Sequence, residues 1–133
     1  MQWLIDKSAL VRLGACAESA IWADRIQRGL VHIATVTLLE VGCSARDARD
    51  LHTGLQGPPV GSMPVQYATP TAEDRAVQVL RLLADHGHHR APSVPDLIIA
   101  ATAETAGLVV LHHDKHFELI AEITGQPVQC LAA

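Results

Sequence analysis

Aromatic side chains are nearly missing from this sequence, which has two Trp, one Tyr and one Phe in 133 residues. Since 49% of the chain is nevertheless hydrophobic, its core has to be built from Leu, Val, Ile and Ala, side chains that suit helices packed on a sheet. Long apolar runs are missing too. Charge interrupts each one well short of the ~20 residues that a membrane span needs, so no membrane partner is expected. The opening Met1-Gln-Trp-Leu-Ile-Asp6 has no basic segment and no small-residue cleavage site. That argues against a signal peptide and for a cytoplasmic protein. Cysteine is scarce: Cys16, Cys43 and Cys130 are odd in number, far apart and set among apolar residues. They read as reduced core cysteines, not as a disulfide framework or a zinc knuckle. The glycine-rich phosphate loops of nucleotide-binding proteins have no counterpart here.

At 14.2 kDa the chain has room for one core, not two. No internal repeat or low-complexity segment divides it. A net charge of -4 speaks against a generic nucleic-acid coat protein. It does not exclude a nucleic-acid enzyme, because acidic metal ligands add negative charge that a bound cation reverses locally.

Trp3-Leu-Ile5 is a short apolar run ending at Asp6, as a buried parallel strand would. Ser8 is placed to cap a short helix through Leu13, stopped by Gly14. A helix over 18–28 ends at Gly29, and 30–34 is a second strand. Thr35 and Thr37 are candidate caps for a helix holding Leu38, Leu39, Val41 and Cys43, with a polar continuation over 46–51. Residues 54–64 carry three Gly and three Pro and read as loop. A short strand over 65–68 follows. Thr71-Ala-Glu-Asp74 then looks like a capping signature for a long helix with Val77, Leu80 and Leu83 on one face. Pro95 sits where the next helix begins, Asp96 in its first turn, and Gly107 at its end. Strand 108–111, a helix over about 115–123 and a last strand over 128–131 complete an alternation that implies a largely parallel sheet covered on both faces.

On this map Asp6 and Asp114 fall just past the C-terminal ends of buried strands, the edge at which open α/β sheets bind ligands. Glu40 interrupts the apolar run Leu38-Leu39-Glu40-Val41, and Asp96 opens another apolar helix. Acids in apolar surroundings need compensation. No basic residue is reserved nearby in sequence except Lys7, expected to point away. Four carboxylates brought together repel one another and raise their pKa values. Mg²⁺ or Mn²⁺ relieves both problems, as hard cations that prefer carboxylate oxygen. Three of the acids also have a plainer reading alone: Asp6 as a helix cap, Asp96 as a first-turn acid favoured by the helix dipole, Asp114 as a turn residue; Glu40 is the hardest to dismiss.

The segments around these acids resemble the four motifs of the PIN-domain family. Leu4-Ile-Asp-Lys-Ser-Ala-Leu10 is similar to its opening, and Thr37-Leu-Leu-Glu-Val41 to its second motif. Ser93-Val-Pro-Asp-Leu-Ile-Ile-Ala-Ala-Thr-Ala103 is similar to its third, and Leu111-His-His-Asp-Lys-His-Phe117 to its fourth, with the D-x-x-F pattern. Order and spacing resemble the VapC toxins of bacterial VapBC toxin–antitoxin pairs, and the resemblance takes in residues 1–133 as one PIN domain. Gln2, where an apolar residue is commoner, is a small departure.

The resemblance implies an α/β fold with a largely parallel sheet flanked by helices, and a Mg²⁺- or Mn²⁺-dependent endoribonuclease site at its carboxyl edge. It implies Asp6, Glu40, Asp96 and Asp114 as catalytic and metal-coordinating acids, with Ser8 and Ser93 at motif positions that could orient an acid or the scissile phosphate; Arg90, outside those motifs, is a further substrate-orienting candidate from its place in the chain. It further implies a homodimer, a VapB-type antitoxin, and an RNA substrate, with transfer RNA and ribosomal RNA both open.

Other readings stand beside it: a non-toxin PIN-domain nuclease in RNA processing, a zinc hydrolase, and a phospho-acceptor receiver domain. The zinc reading rests on the clusters His86-Gly-His-His89 and His112-His-Asp-Lys-His116. Neither forms H-E-x-x-H, and His112 is expected to end a strand, so the i, i+4 geometry fails. A receiver domain would need a paired acid beside Asp6, which Lys7 does not supply. Arg12, Arg46, Arg49 and Arg90 lie in segments that could rim the acids and hold phosphates, or could be solvated helix faces.

Overall fold

The computed structural model describes residues 1–132. Five strands, β1 (Trp3–Ile5), β2 (Val31–Ala34), β3 (Val65–Gln66), β4 (Val109–His112) and β5 (Val128–Cys130), form one sheet of order β3-β2-β1-β4-β5. Every pairing is parallel. The helices are α1 (Lys7–Leu10), α2 (Ser19–Gln27), α3 (Thr35–Cys43), α4 (Ala48–Gln56), α5 (Pro70–Asp85), α6 (Val94–Ala106) and α7 (Lys115–Thr124).

Alternation of side chains along the central strands divides the core in two. Trp3, Ile5, Val31, Ile33, Val109 and Leu111 face one side, packed with Leu13, Trp22 and Ile26. Leu4, Ala34 and Val110 face the other, packed with Leu83, Ile99, Phe117 and Ile120. With both faces covered, strands β1 and β4 contain almost no polar residue. The Arg25 guanidinium lies over the rings of both Trp3 and Trp22, 4.7 and 4.5 Å from their centroids.

Several local expectations are corrected. Asp6, not Ser8, caps α1, and a separate 3-10 turn spans Leu13–Ala15. Thr35 and Thr37 lie inside α3; its N-cap position is Ala34, with no side-chain cap. The polar continuation is a separate helix, α4, capped by Asp47 and running through Gly54 to Gln56, with a 3-10 turn at Val60–Ser62, so 54–64 is only partly loop. Thr69 rather than Thr71 caps α5. The buried stripe of α5 is Ala72, Ala76, Val79 and Leu83, while Val77 and Leu80 are exposed. Its alanines allow close approach to α6, and this carries the stripe one position away from the larger side chains. Of the cysteines only Cys16 is buried; Cys43 and Cys130 are exposed, and all three are free thiols. No helix of the described residues is long and apolar enough to cross a membrane.

Candidate active site

At the C-terminal edge of the sheet Asp6 and Asp114 cap the helices that follow β1 and β4, Glu40 lies in the second turn of α3 after β2, and Asp96 lies in the first turn of α6. Asp6, Glu40, Asp96 and Asp114 line one open cleft of about 590 Å³ with Lys7, Ser8, Arg90, Ser93 and His116. All four acids therefore share one cleft, and so do Ser8, Ser93 and Arg90.

Three of the acids hold helix N-termini, as the plainer readings of Asp6 and Asp96 expect, while Asp114 is the cap of α7 and not a turn residue. Asp6 Oδ2 accepts the Ser8 N–H at 3.0 Å and the Ser8 hydroxyl at 2.6 Å. Ser8 Oγ in turn accepts the His113 N–H at 2.9 Å, which ties the end of β4 to the end of β1. Asp96 and Ser93 form a capping box: the Asp96 N–H donates to Ser93 Oγ at 3.2 Å and the Ser93 N–H donates to Asp96 Oδ2 at 3.0 Å. Asp114 Oδ1 accepts the His116 N–H at 2.9 Å, and the Asp114 N–H donates to His112 Nδ1 at 3.1 Å. Each aspartate thus fixes its orientation through one oxygen. Its second oxygen has no protein hydrogen bond among the described residues.

Glu40 holds no cap. Its Oε1 is buried without a hydrogen-bond partner, a costly state for a carboxylate oxygen unless a ligand completes it. Burial raises the Glu40 pKa above its ordinary value; Asp6 and Asp96 add to this and Lys7 opposes it. Burial also raises the pKa of Asp96, Asp6 and Asp114 push the same way, and the hydrogen bonds from Ser93 pull against them. Clustered, desolvated carboxylates with oxygens free of protein hydrogen bonds suit a divalent cation.

Two ionisable residues of the cleft were not anticipated as members. Lys7 turns toward the acids instead of away, because it opens α1 immediately after Asp6; its Nζ donates to Ser44 Oγ at 2.9 Å. His116 Nδ1 lies 3.3 Å from Asp114 Oδ1 and 3.6 Å from Asp96 Oδ2. Only the D-x-H spacing at a helix start could have signalled it. The remaining arginines lie outside the cleft. Arg12 donates to Ser8 O at 2.6 Å, Arg46 pairs with Asp50 on the surface, and Arg49 is exposed. His112 is buried at the end of β4, with Nε2 3.1 Å from Glu118 Oε1. It therefore shares no helical face with His116.

A parallel sheet with clustered carboxylates at its carboxyl edge is the arrangement of a metal-dependent nuclease class, and the model of the PIN domain matches residues 3–123. Ribonuclease VapC2 of Mycobacterium tuberculosis is 58% identical over 98% of this chain and 92% of its own length. Ribonuclease VapC21 of the same species is 39% identical over 99% and 95%. A DNA-bound VapBC structure from Salmonella typhimurium has the same fold, with a TM-score of 0.78 over 98% of both chains at 17% identity. The chain belongs to the PIN-domain family, and within it to the VapC ribonucleases.

Proposed function

We propose that the protein is a Mg²⁺- or Mn²⁺-dependent endoribonuclease, the toxin of a type II toxin–antitoxin pair, hydrolysing RNA phosphodiester bonds to stop translation and growth. The observation that carries this reading is the cleft itself, where four carboxylates from separate elements meet and Glu40 Oε1 is buried without a partner. Asp6, Glu40, Asp96 and Asp114 would hold the cation, directly or through water. A divalent cation bound there would neutralise the acids, lower the pKa of a water and stabilise charge on the phosphate.

The chain's own groups do the positioning. Ser8 orients Asp6 and Ser93 orients Asp96, each leaving one carboxylate oxygen without a protein hydrogen bond. Lys7 and Arg90 offer positive charge to the phosphates of the strand on either side of the acids. In the reaction the oxygen of water bonds to phosphorus, the bond from phosphorus to the leaving ribose oxygen breaks, and that oxygen takes up a proton. Transfer RNA and ribosomal RNA are the candidate substrates.

A VapB-type antitoxin belongs to the same reading. Val11, exposed at the cleft rim, and Leu39, exposed on α3 next to Glu40, offer apolar contacts for such a partner. A homodimer is also part of it: Val77, Leu80 and Val94 line an exposed apolar groove between α5 and α6 that self-association would cover. The protein would act in the cytoplasm, where its RNA is.

The test is cleavage of total RNA by purified protein, with cut sites mapped from 5′ ends. Cleavage should need Mg²⁺ or Mn²⁺ and stop in Asp6→Asn and Asp96→Asn. Full-rate cleavage by metal-stripped protein in EDTA would overturn the metal mechanism. Expression should arrest growth unless the partner is co-expressed; a harmless chain that still cuts RNA would remove the toxin role and leave the nuclease.

A further inference from the structure

His116 takes no part in the four-acid set, yet its ring faces that set. One ring nitrogen of His116, one Asp96 oxygen and one Asp114 oxygen all lie within 4.8 Å of one another, close enough for one ion to be shared. The position is fixed from both sides. The His116 N–H donates to Asp114 Oδ1, and Asp114 is tethered through its own N–H to buried His112. His112 has both ring nitrogens engaged, by the Asp114 N–H and by Glu118. The His116 Nδ1 faces only carboxylate oxygens, 3.3 Å from Asp114 Oδ1 and 3.6 Å from Asp96 Oδ2, so a cation placed among them would meet one nitrogen and two oxygens.

We infer that His116 is a metal ligand, joining Asp96 and Asp114 in a mixed nitrogen–oxygen set, and that the protein therefore selects Mn²⁺-type transition ions over Mg²⁺. The inference rests on the metal-dependent nuclease reading and narrows its cation. Mg²⁺ favours oxygen donors and gives up water reluctantly. Imidazole is a softer donor that suits ions later in the first transition row. A cleft lined by carboxylates alone would lack this source of discrimination. The competing account makes protonated His116 an internal cation between the two aspartates. A metal would then have to displace it, and removing it would tighten Mg²⁺ and Mn²⁺ alike.

Titration calorimetry of the full, metal-stripped chain with Mn²⁺ and with Mg²⁺ separates these accounts, alongside electron spin-echo spectra of bound Mn²⁺. Wild type should bind Mn²⁺ at least about tenfold more tightly than Mg²⁺, with nitrogen coupling in the spectrum. His116→Asp, which keeps an oxygen donor, should lose the nitrogen coupling and narrow the ratio by weakening Mn²⁺; His116→Gln should do the same. An unchanged ratio, Mn²⁺ without nitrogen coupling in wild type, or tighter binding of both ions in the variants would overturn the inference. Wild type binding neither ion would overturn the metal site as a whole. Nitrogen-coupled Mn²⁺ in a protein that cuts no RNA would support the ligand and overturn only the nuclease reading.

Discussion

The Ser8 hydroxyl donates to Asp6 Oδ2 across 2.6 Å, and Ser8 Oγ itself accepts the His113 N–H at 2.9 Å. One side chain thus aligns the acid after β1 with the loop after β4. Ser8→Ala leaves the backbone cap from Asp6 intact, so α1 should survive, with a stability loss of about 1 kcal/mol. Loss of the orienting bond should slow RNA cleavage about tenfold, as loss of a supporting partner does at metal sites. Thermal melts and initial rates check both, and Ser8→Thr should restore the rate. Wild-type cleavage by Ser8→Ala would remove Ser8 from the site.

Asp96→Asn should separate stability from activity. Burial raises the Asp96 pKa, so the folded state disfavours its ionised form. For such an acid, stability is highest while the carboxyl is protonated in both states. It falls as pH rises from the ordinary carboxylate value through the raised one. An uncharged Asn escapes that loss while still accepting the Ser93 N–H. Metal-free Asp96→Asn should melt above wild type at neutral pH, with the gap closing on acidification, while RNA cleavage falls about a hundredfold or more. Melting curves in EDTA across acid to neutral pH decide it: a gap that ignores pH would contradict the electrostatic cause.

Which parts of this site were legible in sequence follows from where side chains point. Asp6 and Asp114 could be read because apolar runs at 3–5 and 108–111 mark strands whose ends are unambiguous. Glu40 could be read because it breaks an apolar helix. Lys7 and His116 could not, since their direction depends on how the first turns of α1 and α7 leave the sheet. The same limit misplaced the stripe of α5. Ala72 and Ala76 carry little hydrophobic signal, yet they set the contact with α6, whereas Val77 and Leu80 carry the signal and are exposed. Cys43 and Cys130 show a related failure: apolar neighbours in sequence did not place them in the core.

The α5 assignment has a direct consequence for stability. Leu83 is fully buried in the core shared by α5, α6 and α7. Leu83→Ala should cost about 2–5 kcal/mol through lost burial and the cavity left behind. Val77→Ser on the exposed face should stay within about 0.5 kcal/mol. Urea denaturation of both variants tests the pair, and equal losses would mean that α5 is rotated relative to this packing.

Arg90 is the exposed arginine of the cleft, and it forms no ion pair among the described residues. If it holds an RNA phosphate, Arg90→Ala should lower the slope of log affinity against log salt by about 0.7, the value for one phosphate on a single strand. Binding should be measured with the inactive Asp96→Asn background, so that the RNA stays whole. An unchanged slope would assign Arg90 to the solvated surface.

Cation binding should be visible as stability even without RNA. A ligand that binds only the folded chain adds about 2.7 kcal/mol at one hundred times its Kd. If Glu40 and Asp96 hold the cation they must be ionised to do so, and both have raised pKa values. The rise in Tm with Mn²⁺ or Mg²⁺ should therefore be small at acid pH and grow as pH passes through those raised values, with protons released on binding. Glu40→Gln tests the orphaned Oε1 in particular, because it removes the charge while keeping the shape of the side chain. Its metal-free form should melt at or above wild type at neutral pH, and its metal-induced shift should shrink. Scanning fluorimetry at several pH values with and without each cation measures all of this. An undiminished, pH-independent shift in Glu40→Gln would place the cation away from the cleft.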